Sequence, residues 1–414
     1  MSNVISPNRL RILYLGDQMT PEQYLSRLIR QSPYAKLVIS PKSPLRKAIN
    51  LVTKSIYAHW ENVSIDSVPD LFSPQAGPDP QLTHIRDNLL PFFPEDCRER
   101  LASVPVGTVY NLEINGFATR TPDGEGAVVC IDNGLQTALN MSNQWIHLFS
   151  PEEIRRKNAE SDVYAYAAAK FIHWILGLTA KALPPFLAQP QRDPKIVLAM
   201  AAEATLVQLN FIVAHEYSHV CLGHIKHDRS TLPTETIKLH ELQADECAAK
   251  ILLEQERSRK PLISHHDLEL HLGAIAGVFY ASEAILHILH LGRPFTRVYP
   301  SPEDRFDRII ETFRRRYGEN VMGAGQYIRP FGLVSHVFQT IQANPPKAVA
   351  FLSNIAQACR QIGDITEECF VLAVAREVAR LAGGDDVAGQ IHSYIENTID
   401  EDPTYAKMIL DFHL

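Results

Sequence analysis

Several kinds of signal are missing from this sequence of 414 residues, and each absence narrows what the protein can be. Its six cysteines, at 97, 130, 221, 247, 359 and 369, form no CxxC pair and no regular framework. A disulfide scaffold is therefore not expected, and free thiols in a reducing, cytoplasmic setting fit better. The opening residues have no apolar h-region, so no secretory signal peptide is expected. No long apolar run is free of polar groups. The segment nearest to membrane length, Leu270 to Leu291, carries His271, Glu283, His287 and His290, which argues for a buried helix rather than a membrane span. Phosphate loop, nucleophile elbow and nucleotide fingerprint are also absent, which removes the commonest nucleotide and serine-hydrolase chemistries. Charge of one sign is not dominant: 40 basic residues face 47 acidic ones, so no nucleic-acid partner is expected. The distribution is uneven, because residues 1–60 hold nine Lys/Arg and two Asp/Glu. That basic start reads as a solvated face, with a phosphate-bearing or acidic partner as the sharper alternative.

What the sequence does contain is concentrated between Phe211 and Ala248. His215-Glu216-x-x-His219 is followed by Glu241-x-x-Ala-Asp245. Residues four apart on a helix lie about 40° apart around its axis, one turn along. His215 and His219 can therefore aim two imidazoles at one metal while Glu216 stands beside them. Two nitrogens suit zinc, and a catalytic zinc site wants a third protein ligand and an open position. Glu241, 22 residues after His219, is the candidate third ligand: the chain can turn through Asp228 to Thr236 and return on a second helix. Asp245, one turn beyond on the same face, can accept a hydrogen bond from the non-ligating nitrogen of one histidine. The preceding run Ile196 to Val213 is apolar, free of Pro and Gly, and compatible with a helix. By the same helical geometry His224 and His227 point elsewhere, and His240 faces away from a metal that Glu241 faces. His265 and His266 read as loop residues, and Cys221 and Cys247, which flank the site, as small core residues.

HExxH followed by ExxxD resembles the gluzincin metallopeptidases. The fuller wording HEYSHVCLGH…ELQAD is similar to compact gluzincins such as the repressor-cleaving peptidases of mobile elements and the phage-exclusion peptidase Lit. The resemblance implies His215, His219 and Glu241 as zinc ligands, Glu216 as catalytic base and Asp245 as the carboxylate behind a ligand. A metzincin pattern would need Gly at 222 and His at 225, where this chain has Leu222 and Ile225. Upstream, NGFA…VVCIDNGL resembles the strand pair that precedes the zinc helix in such enzymes, which implies Gly126 to Ile131 as a substrate-side edge strand. Downstream, the stretch from Tyr299 to Arg305 resembles the family's HP…R segment, with Tyr299 where the family has His. It implies Tyr299 and Arg305 as oxyanion or substrate contacts.

In chain order, Arg11 to Tyr14 and Lys36 to Ser40 read as short strands. Pro21 to Gln31 reads as a helix capped by Thr20 with Pro at its first position. Prolines at 69, 74, 78, 80, 91 and 94 indicate a loop-rich connection from Val68 to Pro94. TVYNLEINGFATRT and AVVCIDNGL, split by Pro122-Asp-Gly-Glu-Gly126, predict a hairpin. Helices are expected over Pro151 to Leu183, over Thr234 to Glu256 and through the tail from Gly332, whose wording has a tetratricopeptide flavour without a clean repeat. The expected fold is α+β and mostly helical: a zincin-like catalytic domain with a small β-hairpin before the HExxH helix, plus a helical C-terminal region. The expected division is residues 1–95, mixed α/β; 96–325, the peptidase domain; and 326–414, helical.

The function expected is a soluble, cytoplasmic zinc endopeptidase with Glu216 as general base to a zinc-activated water, cutting a protein or peptide substrate in limited regulatory or defence-related proteolysis. The C-terminal helices are a candidate site for a protein partner. The alternative is a non-catalytic partner-binding protein whose zinc is structural, which calls for a fourth ligand from Cys221, Cys247 or His224. A third option is a zinc hydrolase acting on something other than a peptide.

Overall fold

Six residues with no polar gap before the last, Ala127 to Asp132, form strand β3, buried along its whole length. The computed structural model describes residues 19–39, 76–111, 113–148, 194–260, 264–289, 299–318, 343–363, 365–399 and 409–411. In it, β3 is the centre of a three-stranded sheet of order β1-β3-β2. Strand β1 (Val106–Val109) runs parallel to β3 with Val106 opposite Val129. Strand β2 (Gly116–Arg120) runs antiparallel to it, with Gly116 opposite Ile131 and Arg120 opposite Ala127. The expected hairpin is therefore present as β2 and β3, and Gly124 at φ +80° supplies the left-handed residue of its turn. Two expectations change. The single long strand from Thr108 is two strands with opposite directions relative to β3, and β3 is no edge: both of its sides are paired, so Gly126 to Ile131 has no backbone groups left for a substrate strand.

Before the sheet come helices α1 (Pro21–Gln31), α2 (Ala35–Ile39), α3 (Pro80–Leu89) and α4 (Glu95–Ala102). Helix α1 starts as expected: Thr20 and Gln23 form a reciprocal capping box around Pro21. Its Leu25 and Ile29 pack with Val109, Tyr110, Val128 and Cys130 on one side of the sheet. Lys36 to Ile39 is helical rather than extended. An apolar run this short does not distinguish strand from helix by itself, and the bonds Ala35 N–H to Ser32 O and Ser32 N–H to Ile29 O wind it onward from α1. The proline-rich stretch holds α3 instead of a continuous loop, because Pro80 occupies a first-turn position where no N–H is needed, behind the Asp79 cap. Arg11 to Tyr14, residues 68–75 and Pro151 to Leu183 lie outside the described residues.

Beyond the sheet, α5 (Asn133–Leu148), which the sequence reading did not anticipate, leads on to α6 (Pro194–Cys221) and α7 (Thr234–Arg259). Then come α8 (His265–Leu289) and α9 (Pro302–Tyr317). His265 and His266 open α8 rather than sitting in a loop: Ser264 and Asp267 exchange side-chain and backbone hydrogen bonds and start the helix there. Helices α10 (Pro345–Ile362), α11 (Ile365–Leu381) and α12 (Asp385–Thr398) follow. The fold is mostly helical α+β, as expected, and among the described residues no helix is long and apolar enough to cross a membrane.

The chain divides into two compact units: residues 1–137, 209–263 and 311–313 in the first, and 138–208, 264–310 and 314–414 in the second. Within the second, Gly277 lets α8 approach α6 closely, since a Cβ there would fall 2.8 Å from Gln208 Nε2. That amide donates to Ala274 O at 3.0 Å and pairs with Asn143.

Candidate metal centre

The C-terminal part of α6 is buried on every side. Phe211, Ile212, Val213, Ala214, Tyr217 and Val220 are all buried, and a helix apolar all round must be a core helix. Its rotation is held by the Tyr217 hydroxyl, which donates to Val104 O at 2.6 Å. His215, Glu216 and His219 are themselves buried, so their polar atoms must find partners inside the protein.

Helix α7 brings those partners. Ala244, Ala248 and Ala249 are fully buried and small, which permits close approach, and Glu241 and Asp245 are 4% and 0% exposed. His215 Nε2 lies 3.1 Å from His219 Nε2 and 3.4 Å from Glu241 Oε2, and His219 Nε2 lies 3.7 Å from Glu241 Oε1. Behind His215, Asp245 Oδ1 sits 2.8 Å from Nδ1. The donor atoms of His215, His219 and Glu241 all fall within 4.8 Å of one another, an arrangement that fits a metal ion. Arg229, from the turn between the helices, donates to Glu241 Oε1 at 2.8 Å.

The electrostatics of the cluster are asymmetric. Burial pulls the His215 imidazolium down, but Asp245, Glu241 and Glu216 outweigh it and hold its pKa at about 10. Burial and the neighbouring His215 cation push His219 down to about 3.

Three further residues shape the site. Gly116, the first residue of β2, faces Glu216: a Cβ at 116 would lie 3.2 Å from Glu216 Oε1. Asp132, at the end of β3, is 0% exposed. Burial and the charges of Glu113 and Glu216 push its pKa up to about 8, with the Asn111 side chain opposing. The third is His224. Helix α6 stops at Cys221, and Gly223 at φ +74° reverses the chain. His224 Nδ1 then returns to within 3.0 Å of His219 Nδ1. The expectation that His224 points away assumed a continuing helix, and Gly223, a usual helix-stop residue, was the signal that it does not continue. His240 does turn from the metal cluster, to stack on His224 with ring centroids 4.0 Å apart.

The same helix end carries a sulfur pair. Cys221 Sγ touches Cys97 Sγ of α4 at 2.6 Å, and Arg100 donates to Cys221 O at 3.0 Å. All six cysteines are free. Tyr299 and Arg305 belong to the second unit: Tyr299 is 41% exposed, and the Arg305 guanidinium lies 4.3 Å from the Phe279 ring centroid.

A family model described as Peptidase U49 matches residues 131–324, a span that holds every residue of the cluster from Asp132 to Asp245. No curated protein and no solved structure matches the chain. The match supports a peptidase, and with it a protein or peptide substrate.

Proposed function

We propose that the chain is a gluzincin-type zinc endopeptidase. The observation that carries this reading is the convergence of His215 Nε2, His219 Nε2 and the Glu241 carboxylate beside Glu216, inside the stretch that matches a peptidase family. Two imidazoles and one carboxylate are a donor set that zinc favours in catalytic sites, and a zinc ion held by them would supply Lewis-acid polarisation of the scissile carbonyl and acidification of a water. Glu216, buried and close to Gly116, takes the proton of the attacking water and passes it to the leaving amine nitrogen. Asp245 keeps the His215 ring oriented from behind. Strand β2 pairs only with β3 among the described residues, and it begins against Glu216, so its outer edge is the place for an extended substrate backbone. Tyr299 and Arg305 stay candidates for the oxyanion contact by resemblance alone.

The structural-zinc alternative calls for a fourth protein ligand. Cys221 is engaged with Cys97, Cys247 with Ser218 and His224 with His219, which leaves the convergent set at three and favours an open site. Free cysteines throughout agree with a reducing, cytoplasmic setting, and limited proteolysis in regulation or defence is the role that we favour by analogy with the compact gluzincins.

Elemental analysis on wild type, Glu216→Gln and Glu241→Ala, with a proteome-wide cleavage assay on the first two, tests the reading. Expected are about one zinc per chain in wild type and Glu216→Gln, less in Glu241→Ala, and cleavage products that vanish in Glu216→Gln. Equal zinc in all three, with no product that depends on Glu216, would sink it.

A further inference from the structure

The two histidines of the cluster are supported differently. His215 has a carboxylate at its outer nitrogen, whereas His219 has another histidine. His219 Nδ1 lies 3.0 Å from His224 Nδ1, and His224 Nε2 lies 3.1 Å from Gln243 Oε1. The His224 ring is also fixed in plane by its stack on His240, with 6° between the rings.

These contacts dictate where protons sit. An amide oxygen only accepts, so Gln243 places the His224 proton on Nε2 and leaves its Nδ1 bare. Two imidazoles that meet through Nδ1 share a single proton between those atoms, and the bare His224 Nδ1 assigns it to His219. A His219 ring protonated at Nδ1 has its lone pair at Nε2, the atom that faces His215 Nε2 and Glu241. The opposite order, with a donor at position 243, would put the His224 proton on Nδ1 and the His219 proton on Nε2, where it blocks metal binding.

We propose that His224, oriented by Gln243, is the positioning residue for His219 and selects the ring tautomer in which Nε2 can bind a metal. This deepens the zinc-peptidase reading and rests on it. The chain Gln243–His224–His219 does for one ligand what Asp245 does for the other, through a neutral relay instead of a carboxylate. Both supports, Gln243 and Asp245, come from helix α7, and Gly223 makes the relay reachable by ending α6 just before it.

The test adds cobalt(II) to the metal-free full-length chain, reading visible absorption and affinity by competition with a chromophoric chelator. Gln243 is exposed, so changes there spare the core. Gln243→Glu, whose carboxylate can only accept and so keeps the role of the Gln243 oxygen, is expected to bind cobalt like the wild type. Gln243→Met removes the acceptor, and Gln243→Lys replaces it with a donor. Both are expected to weaken binding by about 10- to 100-fold, the usual cost of losing a group that orients a ligand, with lysine the worse. His224→Phe keeps a ring to stack on His240 and is expected to lose a comparable amount, with a changed cobalt spectrum. Circular dichroism checks that each variant folds. Wild-type affinity and spectrum in both Gln243→Met and His224→Phe would overturn the proposal, as would equal weakening in Gln243→Glu and Gln243→Met. A wild type that takes up no cobalt, or a Glu241→Ala that binds it undiminished, would instead remove the metal-site reading and the proposal with it. The two failures appear in different variants.

Discussion

The candidate metal cluster and the C-terminal helices both bury ionisable side chains, and they do so to opposite ends. In α11, Glu368, Arg376 and Glu377 are all buried, and each is paired with a neighbour. Arg376 Nε is 3.2 Å from Glu377 Oε1, Arg380 Nη2 is 2.9 Å from Glu377 Oε2, and Tyr394 donates to Glu368 at 2.7 Å. Arg376 also donates to Leu410 O at 2.9 Å, which ties the last described residues to the helix. In the cluster of α6 and α7 the donors of His215, His219 and Glu241 face one another across a single point, and their partners Asp245, His224 and Arg229 stand behind them. Charge paired with its complement suits a scaffold, and charge arranged around a point suits a cation. Burial alone does not separate the two; the direction of the lone pairs does.

Four measurements bear on that contrast. The largest effect is expected from Glu216→Gln, which should cut turnover by about 10²- to 10⁴-fold while metal content and thermal midpoint stay at wild-type values. A loss of metal in this variant would mean that Glu216 belongs to the scaffold. Arg376→Met is the converse: it takes one of two guanidinium partners from the buried Glu377 and the donor from Leu410 O, and should destabilise the second unit by about 1–3 kcal/mol in denaturant titrations, since a buried acceptor is left unsatisfied. Its metal stoichiometry should not change, and a parallel loss of metal would contradict the division of labour.

A smaller effect is expected at Asp132. Its pKa in the folded chain, about 8, stands above the ordinary carboxylate value of 3.8, so the folded state holds the proton more tightly than the unfolded one. The stabilising contribution is complete below pH 3.8 and is lost as pH rises through 8. Asp132→Asn should therefore melt higher than wild type at pH 8.5, with the gap narrowing towards pH 4. A constant gap across that range would show that Asp132 is not held neutral. The smallest effect is that of Gly116→Ala. The added methyl meets Glu216 Oε1 and Ile131 at 3.2 Å, and displacing the proposed base is expected to cost about tenfold in kcat, with unchanged cobalt affinity. An unchanged kcat would separate β2 from the reacting centre.

Much of this was legible in the residues. The spacing of His215, Glu216 and His219 needs only a helix, and Glu241 with Asp245 needs only a second one, so periodicity was enough to place them. The hairpin could be read from its Pro-Asp-Gly-Glu-Gly turn. What could not be read depended on the third dimension or on where an element stops. The parallel pairing of β1 with β3 is a long-range contact with no local signature, and it is what turns β3 from an edge into a centre. Arg229 and Gln243 are ordinary surface residues by composition, and only the packing of α7 on α6 gives them partners. His224 fell between these cases: its place follows from one glycine that ends a helix, and a helical projection carried past Gly223 gave the wrong face.

Six consecutive residues of α7, His240 to Asp245, carry the ring stacked on His224, the third candidate metal donor, the amide acceptor and the carboxylate under His215. A shift of one residue along that helix swings each of them by about 100°. None of the four can be lost alone by slippage, so the register of α7 behaves as a single bit: in place, the centre is complete, and one step out, nothing of it survives. An insertion between Thr234 and Leu239 that the helix absorbs by such a step would erase the centre while leaving each of its residues in the sequence.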